Sequence, residues 1–185
     1  MAADLENLKR EQVVPEVIDQ MPKVSLKVEY ASGLQVEQGN ELKPSQVKEQ
    51  PKFGWEAKAD ELYTLAMVDP DAPSRKEPKF REILHFLVAN IPGTEVHKGD
   101  QLAEYIGSGP PLGTGLHRYI FLLYKQNGKL SSTMRISKTS RNGRLEFSIR
   151  KFAQDHQLGQ PVAANFYQAQ YDDYVPKLHA QLAQG

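Results

Sequence analysis

The segment from Leu116 to Lys125 is apolar on both of its alternating faces. In a strand, Ile120 and Leu122 would point to one side, and Phe121 and Leu123 would point to the other. Such a strand must be buried on both sides, because either face would otherwise expose a row of large apolar groups to water. The chain is therefore predicted to build a β-sheet around this segment, with a packed layer against each face.

Other segments of strand length surround this one, and helical periodicity appears only late in the chain. Residues 24–30 alternate between apolar and polar side chains, which is typical of a half-buried strand. Residues 144–158 have the apolar spacing of an amphipathic helix, and Asp172 or Asp173 can cap a final one. We therefore predict a mainly β fold with one or two C-terminal helices. The remaining predicted strands cover residues 34–36, 53–55, 62–68, 83–90, 102–106 and 162–171.

Length and charge limit the class of protein. The 185 residues predict a single domain spanning 1–185, with residues 1–22 forming a peripheral arm on it. The 23 basic and 23 acidic residues cancel, so we expect no nucleic-acid partner. The chain has no cysteine and no apolar run of transmembrane length. We therefore expect a cytoplasmic protein without stable membrane insertion.

Three segments carry residues suited to a ligand site, and the first follows the strand at 62–68. It contains Asp69 and Asp71 interleaved with Pro70 and Pro73. The prolines restrict φ and stiffen the loop, so both carboxylates would be held in place. A single Asp-Pro pair is more often an ordinary turn. Two aspartates and two prolines within five residues favour a site.

The second segment is the strand that contains His85. Strict alternation places Ile83, His85 and Leu87 on one face, with Leu84 and Phe86 on the other. An imidazole among aliphatic side chains needs a hydrogen-bond partner. On its own, His85 would most simply be a core histidine satisfied by a carboxylate, and only its neighbours favour a functional role.

The third segment is a loop rich in glycine and proline that leads into the central strand. Gly109 is one of four glycines within residues 107–115, and such residues allow the backbone to approach a ligand closely. Pro111 belongs to a proline pair that stiffens the loop. His117 and Tyr119 are two residues apart in the following strand, so both side chains point to the same face.

Together the three segments predict a small pocket at the ends of strands. Imidazole, phenol and backbone N–H groups are suitable partners for phosphate oxygens. The aspartates would repel a phosphate unless they orient the histidines, carry a proton, or meet a cationic head group. The sequence leaves these three alternatives open.

The motifs at these positions resemble the phosphatidylethanolamine-binding proteins, a family that includes the animal Raf kinase inhibitor protein. The resemblance is carried by Asp69 to Arg75, His85, Gly107 to Pro111 and Gly115 to Tyr119, and it extends over residues 24–178. It implies a two-sheet antiparallel β fold with a central sheet. It also implies a monomer that needs no cofactor or metal.

The resemblance further implies a binding protein for a phosphorylated small molecule or a phospholipid head group such as phosphorylethanolamine. Members of the family restrain kinases by association, and some inhibit serine proteases, so both activities become expectations for this chain. No enzymatic activity is expected. By position, the residues that would line the ligand pocket are Asp69, Asp71, His85, Gly109, Pro111, His117 and Tyr119.

Four positions depart from the family pattern. Ile83 and Leu84 stand where animal members often have Trp-His, so a flat aromatic wall is lost and a different head-group preference is predicted. His179 stands where a tyrosine can close over the pocket, which predicts a lid that is sensitive to pH near neutrality. Ser148 resembles a regulatory serine, but the local spacing is one residue shorter.

Two enzymatic alternatives use the same segments. His85, His117 and Asp69 could hold iron or zinc, as two histidines and one carboxylate do in some metalloenzymes. Ser108, with a histidine and an aspartate, could act as the nucleophile of a serine hydrolase. Ile106 stands where the nucleophile-elbow motif has a glycine, however, and a proline pair follows instead of a helix. Both alternatives are therefore less favoured than a binding protein.

Overall fold

Strands dominate the computed structural model, which describes residues 4–185. No helix in this range has both the length and the apolar character needed to cross a membrane. The strands are β1 (Val24–Ser25), β2 (Lys27–Glu29), β3 (Asn40–Glu41), β4 (Lys52–Gly54), β5 (Leu62–Asp69), β6 (Ile83–Pro92), β7 (Asp100–Ala103), β8 (His117–Gln126) and β9 (Ala163–Ala169). The α-helices are α1 (Asn7–Arg10), α2 (Val13–Glu16), α3 (Ile149–Asp155) and α4 (Val175–Leu182).

The central sheet has the strand order β1-β9-β8-β5-β6-β7, and β3 pairs with β9 as well. The strands from β9 through β7 pair antiparallel with their neighbours. The short strands β1 and β3 pair parallel with β9, so the central sheet is mixed. A second sheet consists of β2 and β4 in antiparallel pairing. The predicted mainly β fold, with a central sheet, a second sheet and a C-terminal helix, is confirmed.

Two apolar cores lie on opposite faces of the central sheet. Ile120 and Leu122 of β8 pack in one core, and Phe121 and Leu123 pack in the other. All four side chains are almost completely buried. Each contributes about 1.5–3 kcal/mol through removal from water. The two-sided burial predicted for this segment is therefore confirmed, and it anchors the residues at the start of β8.

The N-terminal segment packs against the core that contains Ile120. Leu8, Val13 and Val17 are fully buried in this core. The segment is also tied to α3, because Arg150 Nε donates a hydrogen bond to Asp19 Oδ1 at 2.9 Å. Residues 1–3 of the predicted arm lie outside the described residues.

The helix α3 begins later than its periodicity predicted. The Ser148 hydroxyl caps it by accepting a hydrogen bond from the Lys151 amide at 3.1 Å. The residues before this cap run along β6, where the Leu84 amide donates to the Arg144 carbonyl at 2.9 Å. The predicted helix start at Arg144 is therefore wrong, because backbone pairing with a strand outweighs a weak helical propensity.

Two predicted strands near the N-terminus also differ. Residues 24–30 are divided, because β1 pairs with β9 whereas β2 pairs with β4 in the other sheet. Residues 34–36 form no strand of their own, and their strand-like contact is one isolated bridge between Glu29 and Gln35. The chain changes sheets here, which interrupts each ladder after a few residues.

Candidate functional site

The predicted site residues meet at one edge of the central sheet. β5 pairs antiparallel with both β6 and β8, so its last residue lies beside the first residues of those strands. Asp69 ends β5, His117 begins β8, and His85 lies near the start of β6. The sheet topology therefore brings together three segments that are far apart in sequence.

A cavity of about 330 Å³ opens between this sheet edge and α4. Its volume lies at the lower end of the range typical of small-molecule pockets. The lining contains most of the residues that the resemblance assigned to a pocket, together with the predicted lid residue. These residues are Asp69, His85, Gly109, Pro111, His117, Tyr119 and His179.

His117 is fixed in one orientation by hydrogen bonds at both ring nitrogens. Its Nδ1 lies 2.9 Å from Asp69 Oδ2, and its Nε2 lies 2.9 Å from the Thr114 hydroxyl. Asp69 Oδ1 also accepts a hydrogen bond from the Asp71 amide at 2.7 Å. Because His117 and Asp69 are both almost fully buried, water competes little for these contacts. The geometry matches the first of the three alternatives, in which an aspartate orients a histidine.

His85 reaches the cavity from a β-bulge. The register between β5 and β6 shifts between Met67 and Val68, and His85 is the extra residue at the shift. A bulge redirects the side chains that follow it. Leu87 therefore packs in the same core as Leu84, whereas strict alternation placed the two on opposite faces. That prediction is wrong, because a register shift cannot be read from a regular pattern of apolar residues.

Burial keeps the His85 ring uncharged. Its Nδ1 lies 3.2 Å from the Ile106 carbonyl, which can only accept, so Nδ1 carries the hydrogen. Burial lowers the pKa of His85 to about 4, although the nearby Asp69 charge acts in the opposite direction. At neutral pH the ring is therefore neutral, and its Nε2 has a lone pair that can accept a hydrogen bond.

Tyr119 lies among the aromatic rings at the base of the cavity. Its ring centroid is 5.3 Å from that of His85 in an edge-to-face arrangement. It also stacks on Tyr167 at 5.2 Å and on His117 at 6.3 Å. Burial raises the pKa of the Tyr119 hydroxyl well above its ordinary value, and the Asp69 charge adds to this effect. Tyr119 therefore remains a neutral phenol that can donate a hydrogen bond.

Helix α4 covers one side of the cavity through close contact with Gly109. His179 Nε2 donates a hydrogen bond to the Gly109 carbonyl at 2.9 Å. A Cβ atom at Gly109 would lie 2.9 Å from Leu178 Cδ2, which is closer than real Cβ atoms approach. The absence of a side chain at Gly109 therefore allows α4 to pack against this loop.

Arg141 and Arg144 also line the cavity, although the sequence analysis did not assign them to it. Arg144 is buried, and its guanidinium donates to the Leu84 carbonyl at 3.0 Å across 60 residues of sequence. No local motif marks such a contact. The rest of the lining is apolar and consists of Ala72, Pro73, Phe80, Ile83, Ile106, Leu145, Leu178 and Leu182.

Asp71 does not line the cavity, in contrast to the prediction. Its fully buried carboxylate accepts hydrogen bonds from the Arg118 Nε at 2.9 Å and Nη2 at 2.7 Å. The Arg118 amide donates to it as well, at 2.9 Å. Asp71 therefore holds the loop after β5 against β8. Its partner Arg118 follows His117 in β8 and so points to the opposite face of the sheet from the cavity residues His117 and Tyr119.

The contacts of Ser108 differ from those of a hydrolase nucleophile. The buried Ser108 hydroxyl is hydrogen-bonded to the Tyr167 hydroxyl, not to a histidine. Ser108 is also missing from the cavity lining. Across residues 4–185, no three His, Asp or Glu side chains are grouped as a metal site would require.

The departures from the family pattern occupy different environments. Ile83 lines the cavity, whereas Leu84 is fully buried in a core. The change at Ile83 therefore alters the cavity wall directly. Ser148 is the exposed cap of α3 and is not part of the cavity lining.

Comparison with known proteins agrees with the fold. The sequence profile of the phosphatidylethanolamine-binding protein family matches residues 32–168. A relative from Drosophila melanogaster, described as putative odorant-binding protein A5, is 37% identical over 172 residues. The match covers 92% of this chain and 82% of that protein.

Solved structures show the same similarity. The solution structure of the protein CG7054 is 56% identical and has a TM-score of 0.76, covering 92% of this chain and 98% of that one. A carboxypeptidase Y inhibitor, crystallised with its cognate proteinase, is 30% identical with a TM-score of 0.75. That match covers 91% of this chain and 95% of the inhibitor. The chain therefore belongs to the phosphatidylethanolamine-binding protein family.

Proposed function

We propose that this chain is a binding and regulatory protein, not an enzyme, whose cavity receives a phosphorylated small molecule or a phospholipid head group. The observation that carries the proposal is the convergence of Asp69, His85, His117 and Tyr119 on one cavity of about 330 Å³. We further propose that it acts as a cytoplasmic monomer and associates with a protein kinase or a serine protease, as the family resemblance implies.

The chemistry of the cavity suits a head group that has both donors and acceptors. Tyr119 supplies a neutral hydroxyl donor, and His85 supplies a neutral ring nitrogen that accepts. Asp69 adds a carboxylate, which favours a cation nearby. Phosphorylethanolamine combines phosphate oxygens with an ammonium group, so it can satisfy all three side chains at once.

Titration of the protein with phosphorylethanolamine is expected to shift the NMR signals of His85, His117 and Tyr119. His85→Ala should weaken binding about tenfold, because it removes one hydrogen-bond partner of the ligand. The exposed His97 provides a matched control, since it lies in the turn before β7, outside the cavity lining. His97→Ala should bind like the wild type. A saturating titration that leaves all three cavity signals unmoved would remove the proposal.

Protease inhibition is the second candidate function, and the similar carboxypeptidase Y inhibitor in complex with its proteinase favours it. We expect the chain to slow hydrolysis by carboxypeptidase Y in a steady-state assay. Inhibition needs an exposed protein surface and not the cavity, so it should survive His85→Ala. If His85→Ala lost inhibition and phosphorylethanolamine binding to the same extent, the proposal that the cavity and the inhibitory surface are separate sites would be contradicted.

A further inference from the structure

Arg144 brings a buried positive charge to the cavity wall without a carboxylate partner. The residue is only 1% exposed. None of the ion pairs formed within residues 4–185 includes it. Burial lowers the pKa of Arg144 to about 10, although the charge of the nearby Glu104 acts in the opposite direction. A buried cation without an ion-paired carboxylate is costly, so an anion in the cavity would be stabilised beside it. The guanidinium donates instead to the backbone carbonyls of Leu84, Glu104, Ser137 and Ser140, at 2.8–3.0 Å.

Arg141 adds a second positive charge to the same wall. It belongs to the same loop as Arg144 and lines the cavity as well, but its side chain is exposed. Every other arginine of residues 4–185 has a side-chain hydrogen bond, whereas the Arg141 guanidinium has neither a hydrogen bond nor an ion pair with these residues. Its donors are therefore available to a ligand.

The arginines lie at a different end of the cavity from the Asp69–His117 pair. The sheet order is β8-β5-β6-β7, with His117 in β8 and Asp69 in β5. Arg144 instead bonds to Leu84 of β6 and to Glu104, directly after β7. Neighbouring strands are about 4.8 Å apart, so the two ends are separated by roughly 10 Å. The cavity lining thus carries an acidic group on β5 and basic groups on the loop beside β6, and His85 of β6 feels the charges of both Asp69 and Arg144.

We propose that Arg141 and Arg144 form an anion subsite, and that the ligand is an organic phosphate with an apolar body. The phosphate of such a ligand lies beside the arginines, a second anion position apart from the head-group position beside Tyr119, and its charge there compensates the guanidinium of Arg144. The body packs on the apolar wall between the two ends, which includes Ile83, Leu178 and Leu182. This inference rests on the proposed function, because it takes the cavity to be a ligand site.

Calorimetric titration with hexyl phosphate and with inorganic phosphate tests the subsite. Hexyl phosphate is expected to bind at least tenfold more tightly, since each buried methylene adds about 0.8 kcal/mol. Arg141→Gln should weaken hexyl phosphate binding about fivefold at low salt, and less at high salt because its charge is exposed. Arg135→Gln is the matched control, because Arg135 donates to loop carbonyls and lies outside the cavity lining.

Arg144 is tested without substitution, since a variant would leave four backbone carbonyls without their donor and destabilise the fold. Its Nε–Hε NMR signal in the wild-type protein should shift on addition of hexyl phosphate. Unchanged affinity in Arg141→Gln together with an unmoved Arg144 signal would overturn the subsite. If the NMR signals of His85 and Tyr119 still shifted with phosphorylethanolamine, the proposed function would stand without the arginine subsite. The opposite outcome is binding that depends on the arginines while the NMR signals of His85 and Tyr119 do not move. It would support the subsite and contradict a head group beside His85 and Tyr119.

Discussion

Replacing Asp71 by alanine is expected to lower the free energy of unfolding by about 3–5 kcal/mol, because it leaves the buried Arg118 without its main carboxylate. Both side chains are fully buried, and Arg118 makes three hydrogen bonds of 2.7–2.9 Å to Asp71. Arg81 adds a longer ion pair to Asp71 at 3.3 Å. Glu16 also contacts Arg118, at 2.7 Å, but it is partly exposed and compensates only in part.

The stability that Asp71 contributes should depend on pH. Burial raises its pKa, but the hydrogen bonds and the charge of Arg118 outweigh burial and leave the pKa below its ordinary value of 3.8. A carboxyl group of this kind contributes fully above its ordinary pKa, and its contribution is lost as the pH falls through the folded value. The difference between wild type and Asp71→Ala should therefore shrink in strong acid.

Urea denaturation of the wild type, Asp71→Ala and Asp173→Ala measures the loss in free energy of unfolding. The control is Asp173→Ala, which removes an exposed aspartate and should change the free energy of unfolding by less than about 0.5 kcal/mol. A loss in Asp71→Ala no larger than that of the control would show that the buried pair does not determine stability. Because Asp71 lies outside the cavity lining, any loss of ligand binding should follow the loss of folded protein.

Glu82→Gln is expected to stabilise the protein at pH 8 by about 2 kcal/mol and to have little effect near pH 4.5. Glu82 is buried beside the start of α3, where its Oε1 accepts a hydrogen bond from the Ile149 amide at 3.0 Å. Burial raises the pKa of Glu82 from its ordinary value of 4.5 to about 7. Glutamine keeps the acceptor oxygen but has no charge to bury.

The protonation state of Glu82 explains why the substitution stabilises the protein only at high pH. Below pH 4.5 the carboxyl group is protonated in both the folded and the unfolded protein, so it costs nothing. As the pH rises towards 7, the unfolded protein loses this proton first, and the folded protein loses stability. Above pH 7 the full cost remains, and the shift in pKa corresponds to about 3 kcal/mol. The substitution removes most of this cost.

Denaturation at pH 4.5, 6 and 8 checks the prediction. The quantity to compare is the difference between variant and wild type at each pH, because both contain His85, whose pKa is also shifted. The exposed Glu77 provides the control variant Glu77→Gln, which should show no comparable gain at pH 8. A gain of the same size at all three pH values would contradict a titrating carboxyl group as its origin.

The position of the candidate site was largely predictable from short motifs. Asp69, Gly109 and Pro111 belong to stiff loops next to strands, and His117 and Tyr119 follow in a strand whose two-sided apolar pattern marks it as central. Loop stiffness and strand period are local properties, so they can be read from neighbouring residues. Those residues line one cavity, and their role in ligand binding stays a prediction.

The contacts that distinguish this cavity were not predictable in the same way. The side of the sheet to which Leu87 points depends on a bulge, and one extra residue reverses every later side chain in a strand. The partner of Asp71 is Arg118, and the orientation of this long side chain depends on how the surrounding elements pack. Arg144 reaches the cavity only because its loop pairs with β6 across 60 residues.

The amino-acid sequence therefore specified the four long strands β5, β6, β8 and β9, the central position of β8 and the motifs at the sheet edge, since these depend on local spacing. Tertiary structure decided which side chains face the cavity and how its charges are distributed. That division has a physical cause. Burial on two faces leaves a repeating pattern in the chain, whereas register shifts and long-range hydrogen bonds depend on residues far away in sequence.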